Sequence, residues 1–258
     1  MIKTTINLIG LIGLLLLTTN HSRGDMLTFN ITSGSLVLSG NSNVTGVGNF
    51  NYTQQGAGSL TTTYTGSLVV DVNNVLSPTS IIFSNANINA NTNGSWSPND
   101  QGNGQTPSSP ADYGIRVGEI QANGKLRNIV FNVAAASATV NAGNYSVANQ
   151  SWSYLTGNID VFSDALMDGT SSTLTGSASN TNAAQGTYGV AGSTVTLTVP
   201  VTVSIAYTLP GTPTVTGFNT YTGTLTGIAA VPEPTSIALV GICGCAGLLI
   251  RRRKRRTI

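Results

Sequence analysis

The sequence has very few of the side chains that enzymes most often use for catalysis. Its single histidine is His21 and its two cysteines are Cys243 and Cys245, so residues 25–230 contain neither type. A disulfide, a Ser-His-Asp triad and a zinc site built on histidine or cysteine are therefore excluded from that part of the chain. We expect it to have no catalytic residues, no metal and no cofactor.

Charged residues are also scarce, at 8% of the 258 residues. Residues 25–230 carry three basic side chains, Arg116, Lys125 and Arg127, against eight acidic ones, which gives a formal charge of −5. Nucleic-acid binding depends on a basic surface that contacts phosphates, so we expect no nucleic-acid partner. The acidic residues form no local motif of paired carboxylates, which makes a glycan-active enzyme a distant alternative.

Residues 25–230, called the body below, are rich in Ser, Thr, Asn, Gly, Ala and Val. Short segments of β-branched and aromatic residues are separated by turn-forming Gly, Asn and Ser, and no sustained helical periodicity appears. This pattern predicts an all-β fold, with an antiparallel β-sandwich or jelly-roll-like body as the first expectation. A β-solenoid is the alternative.

Four local features refine this prediction. Residues 91–110 are rich in Asn, Pro and Gly, which predicts a long loop. Asn123-Gly124 is the strongest short signal for a hairpin turn, and Pro200 within a long strand indicates an edge or a bulge. Residues 160–168 are the one candidate for a short helical turn.

Three aspartates in that last segment, Asp160, Asp164 and Asp168, are four residues apart. On a helix they would share one face, where a calcium ion could relieve their repulsion. The interpretation that we favour is a solvated turn that ends at Gly169.

Trp96 and Trp152 are the candidate ligand contacts, because an exposed indole offers a flat surface on which a sugar ring can stack. The alternative is packing in the core, which we favour for Trp152. Trp96 lies in the predicted loop, so it is the better candidate for exposure.

Threonines alternate along the chain in three places, where they would all point to the same side of a strand. A flat array of this kind can bind ice, but the favoured interpretation is the polar face of half-buried strands. The three arrays are Thr194, Thr196 and Thr198; Thr212, Thr214 and Thr216; and Thr222, Thr224 and Thr226.

The first 24 residues have the pattern of a secretory signal peptide. Lys3 supplies the positive charge, residues 6–17 are apolar, and small residues precede a predicted cleavage site before Asp25. We therefore expect an N-terminal signal helix and an exported body, with an uncleaved N-terminal anchor as the alternative.

Residues 231–258, called the tail below, combine three elements in order. The first is the segment Val231, Pro232, Glu233, Pro234 and Thr235. The second is the uncharged apolar stretch 237–250, which predicts a single transmembrane helix. At about 1.5 Å per residue it covers about 20–25 Å of a hydrocarbon core of about 30 Å. The third is a basic cluster: Arg251, Arg252, Arg253, Lys254, Arg255 and Arg256. Because basic residues are retained in the cytoplasm, they predict a stop-transfer element with the body outside.

The tail resembles the PEP-CTERM sorting signal, through its Val-Pro-Glu-Pro-Thr segment, apolar helix and arginine cluster. The resemblance implies that an exosortase-like membrane protease or transpeptidase is the partner that processes the tail. It also implies that the protein is anchored in the membrane by its C-terminal helix before processing, and lies at the cell surface or outside the cell afterwards. An ordinary tail anchor is the alternative.

These observations predict three parts: a signal peptide (1–24), a β-rich exported body (25–230) and a sorting tail (231–258). The expected function is that of a non-enzymatic structural or adhesive protein of the cell surface or extracellular matrix, with exopolysaccharide as a candidate partner. A carbohydrate-binding surface module is the alternative function.

Overall fold

The computed structural model describes residues 24–232, except 136, 181 and 212. The predicted signal peptide lies outside the described residues, as do Glu233, Pro234, Thr235, the apolar stretch and the basic cluster of the tail. No helix formed by the described residues has the length and apolar character needed to cross a membrane.

The described residues form fifteen β-strands, whose bounds are as follows. They are β1 (Asp25–Val44), β2 (Gly48–Asn51), β3 (Thr53–Gln54), β4 (Thr61–Val72), β5 (Ser80–Ala90), β6 (Gly94–Trp96), β7 (Ser109–Ala111), β8 (Tyr113–Val117), β9 (Ala122–Ala135), β10 (Ser137–Asn141), β11 (Asn144–Ser163), β12 (Asp168–Thr173), β13 (Asn182–Ala191), β14 (Thr194–Leu209) and β15 (Val215–Ala230).

Eight of these strands form a hydrogen-bonded ring. Their order is β9, β11, β13, β14, β15, β1, β4 and β5, and β5 pairs with β9 to complete the circuit. Every pairing among the described strands is antiparallel. The prediction of an all-β antiparallel fold is therefore confirmed, and the pairing differs from the parallel stacking typical of a β-helical solenoid.

Side chains alternate between the inside and the outside of the ring. On β14, Val195, Leu197 and Val199 are buried, whereas the threonines between them are partly or fully exposed. Successive side chains of a strand point to opposite faces, so the Thr-Val alternation in the sequence places the apolar half of β14 in the core.

Phe131 on β9 lies at the centre of this core. Its ring centroid is 5.0 Å from that of Tyr221, 5.2 Å from Tyr154, 5.7 Å from Trp152 and 6.0 Å from Tyr64. Because Tyr221 belongs to β15 and Tyr64 to β4, these contacts connect walls of the ring that are far apart along the chain.

All eight tyrosines of the sequence are buried. Six of their hydroxyl groups bond to one another in pairs, at 2.6 Å for Tyr154 and Tyr221 and at 2.7 Å for Tyr64 and Tyr113 and for Tyr52 and Tyr207. The other two donate to backbone carbonyls, Tyr145 to Thr198 and Tyr188 to Val75. A buried hydroxyl without a partner destabilises the folded state. The paired hydroxyls therefore allow large aromatic side chains to fill the core without that penalty.

The predicted hairpin around residues 114–133 is present as β8 and β9, but its turn lies elsewhere. Residues 118–121 form the turn, and Asn123 and Gly124 are part of β9, where they pair with Arg116 and Ile115. A Cβ atom on Gly124 would lie 2.9 Å from Ile115 Cγ1. The glycine at this position therefore permits close packing between the strands and does not form the turn.

The prediction of a short helical turn at 160–168 is wrong. Asp160 lies within β11, Asp168 begins β12, and residues 164–167 form the turn between them. Asp160 pairs with Ser171 on β12 and with Lys125 on β9. Strand pairing on both sides therefore determines the backbone here, which the four-residue spacing of the aspartates could not indicate.

The other two local predictions are supported. Residues 91–110 are mostly irregular, although β6 lies within them and pairs with β7. Pro200 is paired with Thr224 of β15, but the pairing of β13 with β14 ends at Thr198. Since Pro has no backbone N–H to donate, it is tolerated on the side of β14 that β13 no longer covers.

We expect replacement of Phe131 by alanine to destabilise the fold by about 3–5 kcal/mol, because it removes the ring that four other aromatic side chains contact. The free energy of unfolding, measured in denaturant, tests this. Phe218→Ala is the matched control, since the Phe218 side chain is 50% exposed and its loss should change stability by no more than about 0.5 kcal/mol. Equal effects of the two substitutions would contradict the proposed packing.

Candidate functional site

A surface rich in hydroxyl side chains lies on the outer side of four neighbouring strands. Register places Thr202, Thr222, Val37 and Thr61 side by side in one row across β14, β15, β1 and β4. We call this surface the threonine face. Its exposed or partly exposed hydroxyl side chains are Thr194, Thr196, Thr198, Thr202, Ser204, Thr220, Thr222, Thr224, Thr226, Ser33, Ser35, Ser39, Thr61, Thr63 and Thr65.

Two of the three predicted threonine arrays meet on this face. Thr198 of the first array is paired with Thr226 of the third. In the remaining array, Thr212 lies outside the described residues and Thr216 is exposed near the start of β15. The arrays are the polar side of strands whose other side is core, in agreement with the favoured interpretation.

The threonine face has no ionic group among its members, and its hydroxyls recur at alternate positions of paired strands, with the exposed apolar side chains of Val37, Phe218 and Ile228 between them. Alternate residues of a strand are about 6.7 Å apart and neighbouring strands about 4.8 Å apart. Such a surface offers many hydrogen-bond donors and acceptors without the cost of removing water from a charge. It is therefore suited to contact with an uncharged hydroxylated polymer.

A groove continues from this face onto β10, β11 and β13. Its volume is about 570 Å³, within the range of about 300–1,000 Å³ typical of ligand sites. Thr139, Asn141, Asn144, Gln185 and Thr198 contribute neutral hydrogen-bonding groups to its lining, and apolar atoms make up the larger part of it.

A smaller apolar cleft lies at one end of the ring, lined in part by Val44, Val117, Ile120, Leu166 and Leu209. Its volume of about 130 Å³ is below the range of about 300–1,000 Å³ that ligand sites usually have. The cleft therefore does not support a ligand site.

The two candidate ligand contacts have different surroundings. Trp152 is fully buried, and its indole N–H donates to Gln150 at 3.3 Å, so it is a core residue and cannot stack on an external sugar. Trp96 is only partly buried and packs against three glycines. A Cβ atom on Gly56, Gly94 or Gly114 would approach its ring to 2.9, 2.6 and 2.6 Å. The glycines therefore form a cradle for the indole ring.

The three aspartates proposed for calcium do not converge. Asp160 is buried in β11, and its carboxylate accepts hydrogen bonds from Arg127 and Ser171. Asp164 accepts one from Gln105, and Asp168 accepts one from the backbone N–H of Gly169. Among the described residues, no group of three or more acidic, His or Cys side chains is placed to hold a metal ion.

A charge cluster that the sequence did not lead us to expect lies on the outer side of β9 and β11. It consists of Asp100, Lys125, Arg127 and Asp160. Lys125 Nζ is 2.5 Å from Asp100 Oδ1 and 4.0 Å from Asp160 Oδ2, and Arg127 Nε is 2.7 Å from Asp160 Oδ2. The loop that contains Asp100 packs over this surface, so Lys125 and Asp160 are fully buried.

One sequence signal could have revealed this cluster. Lys125 and Arg127 are two of the three basic residues of the body. Because they are two residues apart on a strand, their side chains point to the same face. Two cations on one face of a largely uncharged protein require nearby acids. Which acidic residues pair with these two cations depends on the pairing of β9 with β11, and that pairing is not a local property of the sequence.

The hydrogen-bond directions in the cluster argue against an activated serine. Lys125 Nζ donates to Ser109 Oγ, and Ser109 in turn donates to Asp100 Oδ1 at 2.5 Å. A serine nucleophile would need to donate its proton to a neutral lysine.

The hydrogen bonds from Lys125 and Ser109 lower the pKa of the Asp100 carboxyl, and the Asp160 carboxylate raises the pKa of Arg127. The ionised forms are thus stabilised.

Comparison of the chain with protein-family models, with curated proteins and with solved structures found no match. Statements about function therefore depend on the residues and geometry described above.

Asp112 provides a test of the electrostatics of the interior. Its side chain is buried, Oδ2 accepts the Ile129 N–H at 2.8 Å, and burial raises its pKa to about 6. The ordinary value, expected in the unfolded chain, is about 3.9. Between these two values the folded state binds more protons than the unfolded state, so the contribution of Asp112 to stability falls as the pH rises.

We therefore expect wild-type stability to fall, relative to Asp112→Asn, by about 2 kcal/mol between about pH 4 and pH 6, because one pKa unit corresponds to about 1.4 kcal/mol and the titration is incomplete at both ends of this range. The asparagine is neutral throughout, and its amide oxygen can still accept the Ile129 N–H. Denaturant unfolding of both proteins across this pH range measures the difference. Parallel pH profiles would show that Asp112 titrates normally in the folded protein.

Proposed function

We propose that the protein is an exported, non-enzymatic surface or matrix protein that adheres through its threonine face. The observation that carries this proposal is the uncharged grid of hydroxyl groups across four paired strands. Such a surface can form many weak hydrogen bonds to a hydroxylated polymer. The exopolysaccharide around a bacterial cell is a polymer of this kind, and we propose it as the partner.

The distribution of charge supports a binding role over a catalytic one. Lys125, Arg127, Asp100 and Asp160 are engaged with one another, so these four ionic groups are already neutralised. The hydrogen-bond directions around Ser109 do not favour nucleophilic attack.

Delivery to the surface would depend on the tail. The sorting segment begins where the ring ends: Ala230 is the last residue of β15, and the Val231 N–H still donates to Ser193 O at 2.9 Å. Glu233 therefore follows the folded body after only one more residue, Pro232. We propose that an exosortase-like enzyme recognises Pro232, Glu233 and Pro234 while the apolar helix holds the protein in the membrane.

For the body, we also propose that the ring is flattened into two facing layers, as in a sandwich or jelly roll. Side chains from strands on opposite sides of the ring are in direct contact, as between Phe131 of β9 and Tyr221 of β15. Phe29 of β1 and Tyr188 of β13 are similarly close, with centroids 6.3 Å apart. A layer separation of about 10 Å leaves space for such interdigitated rings.

A carbohydrate-binding module is the second candidate function. The groove beside the threonine face is lined in part by neutral amide and hydroxyl side chains, and Trp96 is held on a cradle of glycines with part of its surface exposed. Amide hydrogen bonds and a flat aromatic ring are the groups that a site for a defined sugar would use.

The two functions predict different responses to substitution. If the threonine face is the adhesive surface, Thr222→Lys and Thr222→Glu should both weaken binding of the purified protein to its native exopolysaccharide severalfold, because a charge of either sign must lose water on contact. Thr156→Lys and Thr156→Glu are the matched controls, since Thr156 is exposed on β11, away from this face, and they should bind normally.

A glycan array on the same proteins tests the second function. Specificity for a defined sugar that is lost in Trp96→Ala and retained in the Thr222 variants would favour a carbohydrate-binding module. Binding that only one sign of charge at Thr222 weakens would instead indicate an electrostatic contact and would contradict adhesion through neutral hydroxyls.

Sorting is tested by intact mass measurement on protein from native cells, with wild type and Glu233→Ala side by side. We expect the wild type to yield a mature species that lacks residues beyond the Pro-Glu-Pro segment, and the variant to keep them, because the recognition element is lost. Thr235→Ser is a conservative control in the same segment and should be processed. A complete tail in both wild type and variant would mean a plain membrane anchor.

A further inference from the structure

We propose that Lys125 Nζ and the Asp100 carboxyl condense to an amide, which forms a covalent cross-link between β9 and the loop that covers the outer side of the ring. This inference concerns the charge cluster alone and is independent of the proposed adhesion and sorting.

The geometry brings the two reacting groups into contact. Lys125 Nζ is 2.5 Å from Asp100 Oδ1, so the carboxyl carbon is one covalent bond beyond the contacting atom. Lys125 is fully buried, and its amine is held between Asp100, Ser109 and Asp160. An intramolecular reaction between groups fixed in this way can have an effective molarity of about 10⁵–10⁸ M.

The electrostatic balance of the cluster favours the condensed state. A buried ammonium group has lost its hydration, and the attraction of its partners compensates for this only in part. Condensation removes one positive and one negative charge together. The charges that remain, Arg127 and Asp160, are already paired at 2.7 Å, so no buried ion is left without a partner.

The reaction balances without any additional reagent. A proton first moves along the hydrogen bond from Lys125 Nζ to the Asp100 carboxylate, which gives a neutral amine and a neutral acid as a minor species, because the cluster stabilises the ionised forms. The Nζ lone pair then forms the bond to Asp100 Cγ, and one carboxyl oxygen leaves as water with the transferred proton and a second proton from Nζ. An ammonium and a carboxylate thus give one amide and one water, with no change in oxidation state.

Two neighbouring groups are placed to assist. The Asp160 Oδ2 atom, 4.0 Å from Nζ, can relay the second proton, and the Ser109 hydroxyl, which donates to Asp100 Oδ1 at 2.5 Å, can stabilise the negative charge that develops on that oxygen. The Ser109 hydrogen bond is already formed, whereas the relay requires Nζ and Asp160 Oδ2 to approach to hydrogen-bond distance.

Mass spectrometry of the full-length protein, purified and denatured, tests the proposal. We expect a mass lower by one water than the sequence requires, and a branched peptide after proteolysis in which the segments containing Asp100 and Lys125 are joined. The branched peptide is essential, because ring closure at an aspartate elsewhere also removes one water but leaves linear peptides. Wild-type protein with its full mass and linear peptides alone would overturn the proposal.

Variants assign the roles within the site. Lys125→Met and Asp100→Ala should each restore the full mass calculated for their sequences, whereas Asp160→Asn should leave a fraction of molecules without the cross-link. Arg116→Met is the matched control, because it removes the third basic residue of the body from an exposed position on β8, and it should retain the loss of water. Complete cross-linking in Asp160→Asn would contradict the relay by Asp160.

Discussion

The pairing of β9 with β11 is the interaction on which the rest of the body depends, because it is the longer of the two pairings through which β9 completes the ring. Without it, both strands would expose unpaired backbone groups along a sheet edge, which invites aggregation. The same two strands supply Phe131, Trp152 and Tyr154 to the centre of the core and Lys125 and Asp160 to the outer surface. Closure therefore creates the aromatic core and the charge cluster together.

Scarcity of charge has opposite consequences on two sides of the ring. On the threonine face, solubility depends on hydroxyl groups, which leaves a large surface able to contact a neutral polymer. On the outer side of β9 and β11, the few ions that the body has are concentrated and covered by a loop. A protein with so few ions can bury Lys125 and Asp160 only where each has a partner, because an unpaired buried charge is strongly destabilising.

The sequence allowed the strands and their inward and outward faces to be predicted wherever the pattern is local. The Thr-Val alternation of β14 and the position of Pro200 are examples. Prediction failed where packing between distant segments overrides local preference. Gly124 packs closely against Ile115 on the neighbouring strand, so Asn123-Gly124 lies within β9 and does not form the turn. It also failed at Asp160, whose partners on β9 and β12 hold it in a strand. The charge cluster was missed for the same reason, since it is formed by ring closure.

The loop that covers the charge cluster has an unusual basis for its stability. Residues 91–110 contain few apolar side chains, and their anchors include polar contacts such as the reciprocal bonds between Gln55 and Ser97, at 2.7 and 2.8 Å. Ordering each residue costs about 1–2 kcal/mol, whereas a typical hydrogen bond contributes about 1 kcal/mol. Apart from Trp96 on its glycine cradle, the contacts of the loop are thus mainly polar and hold it weakly above a buried lysine. In a body without cysteine, an amide between Lys125 and Asp100 would hold the loop in place by removing conformational freedom from its open states, as a disulfide does elsewhere.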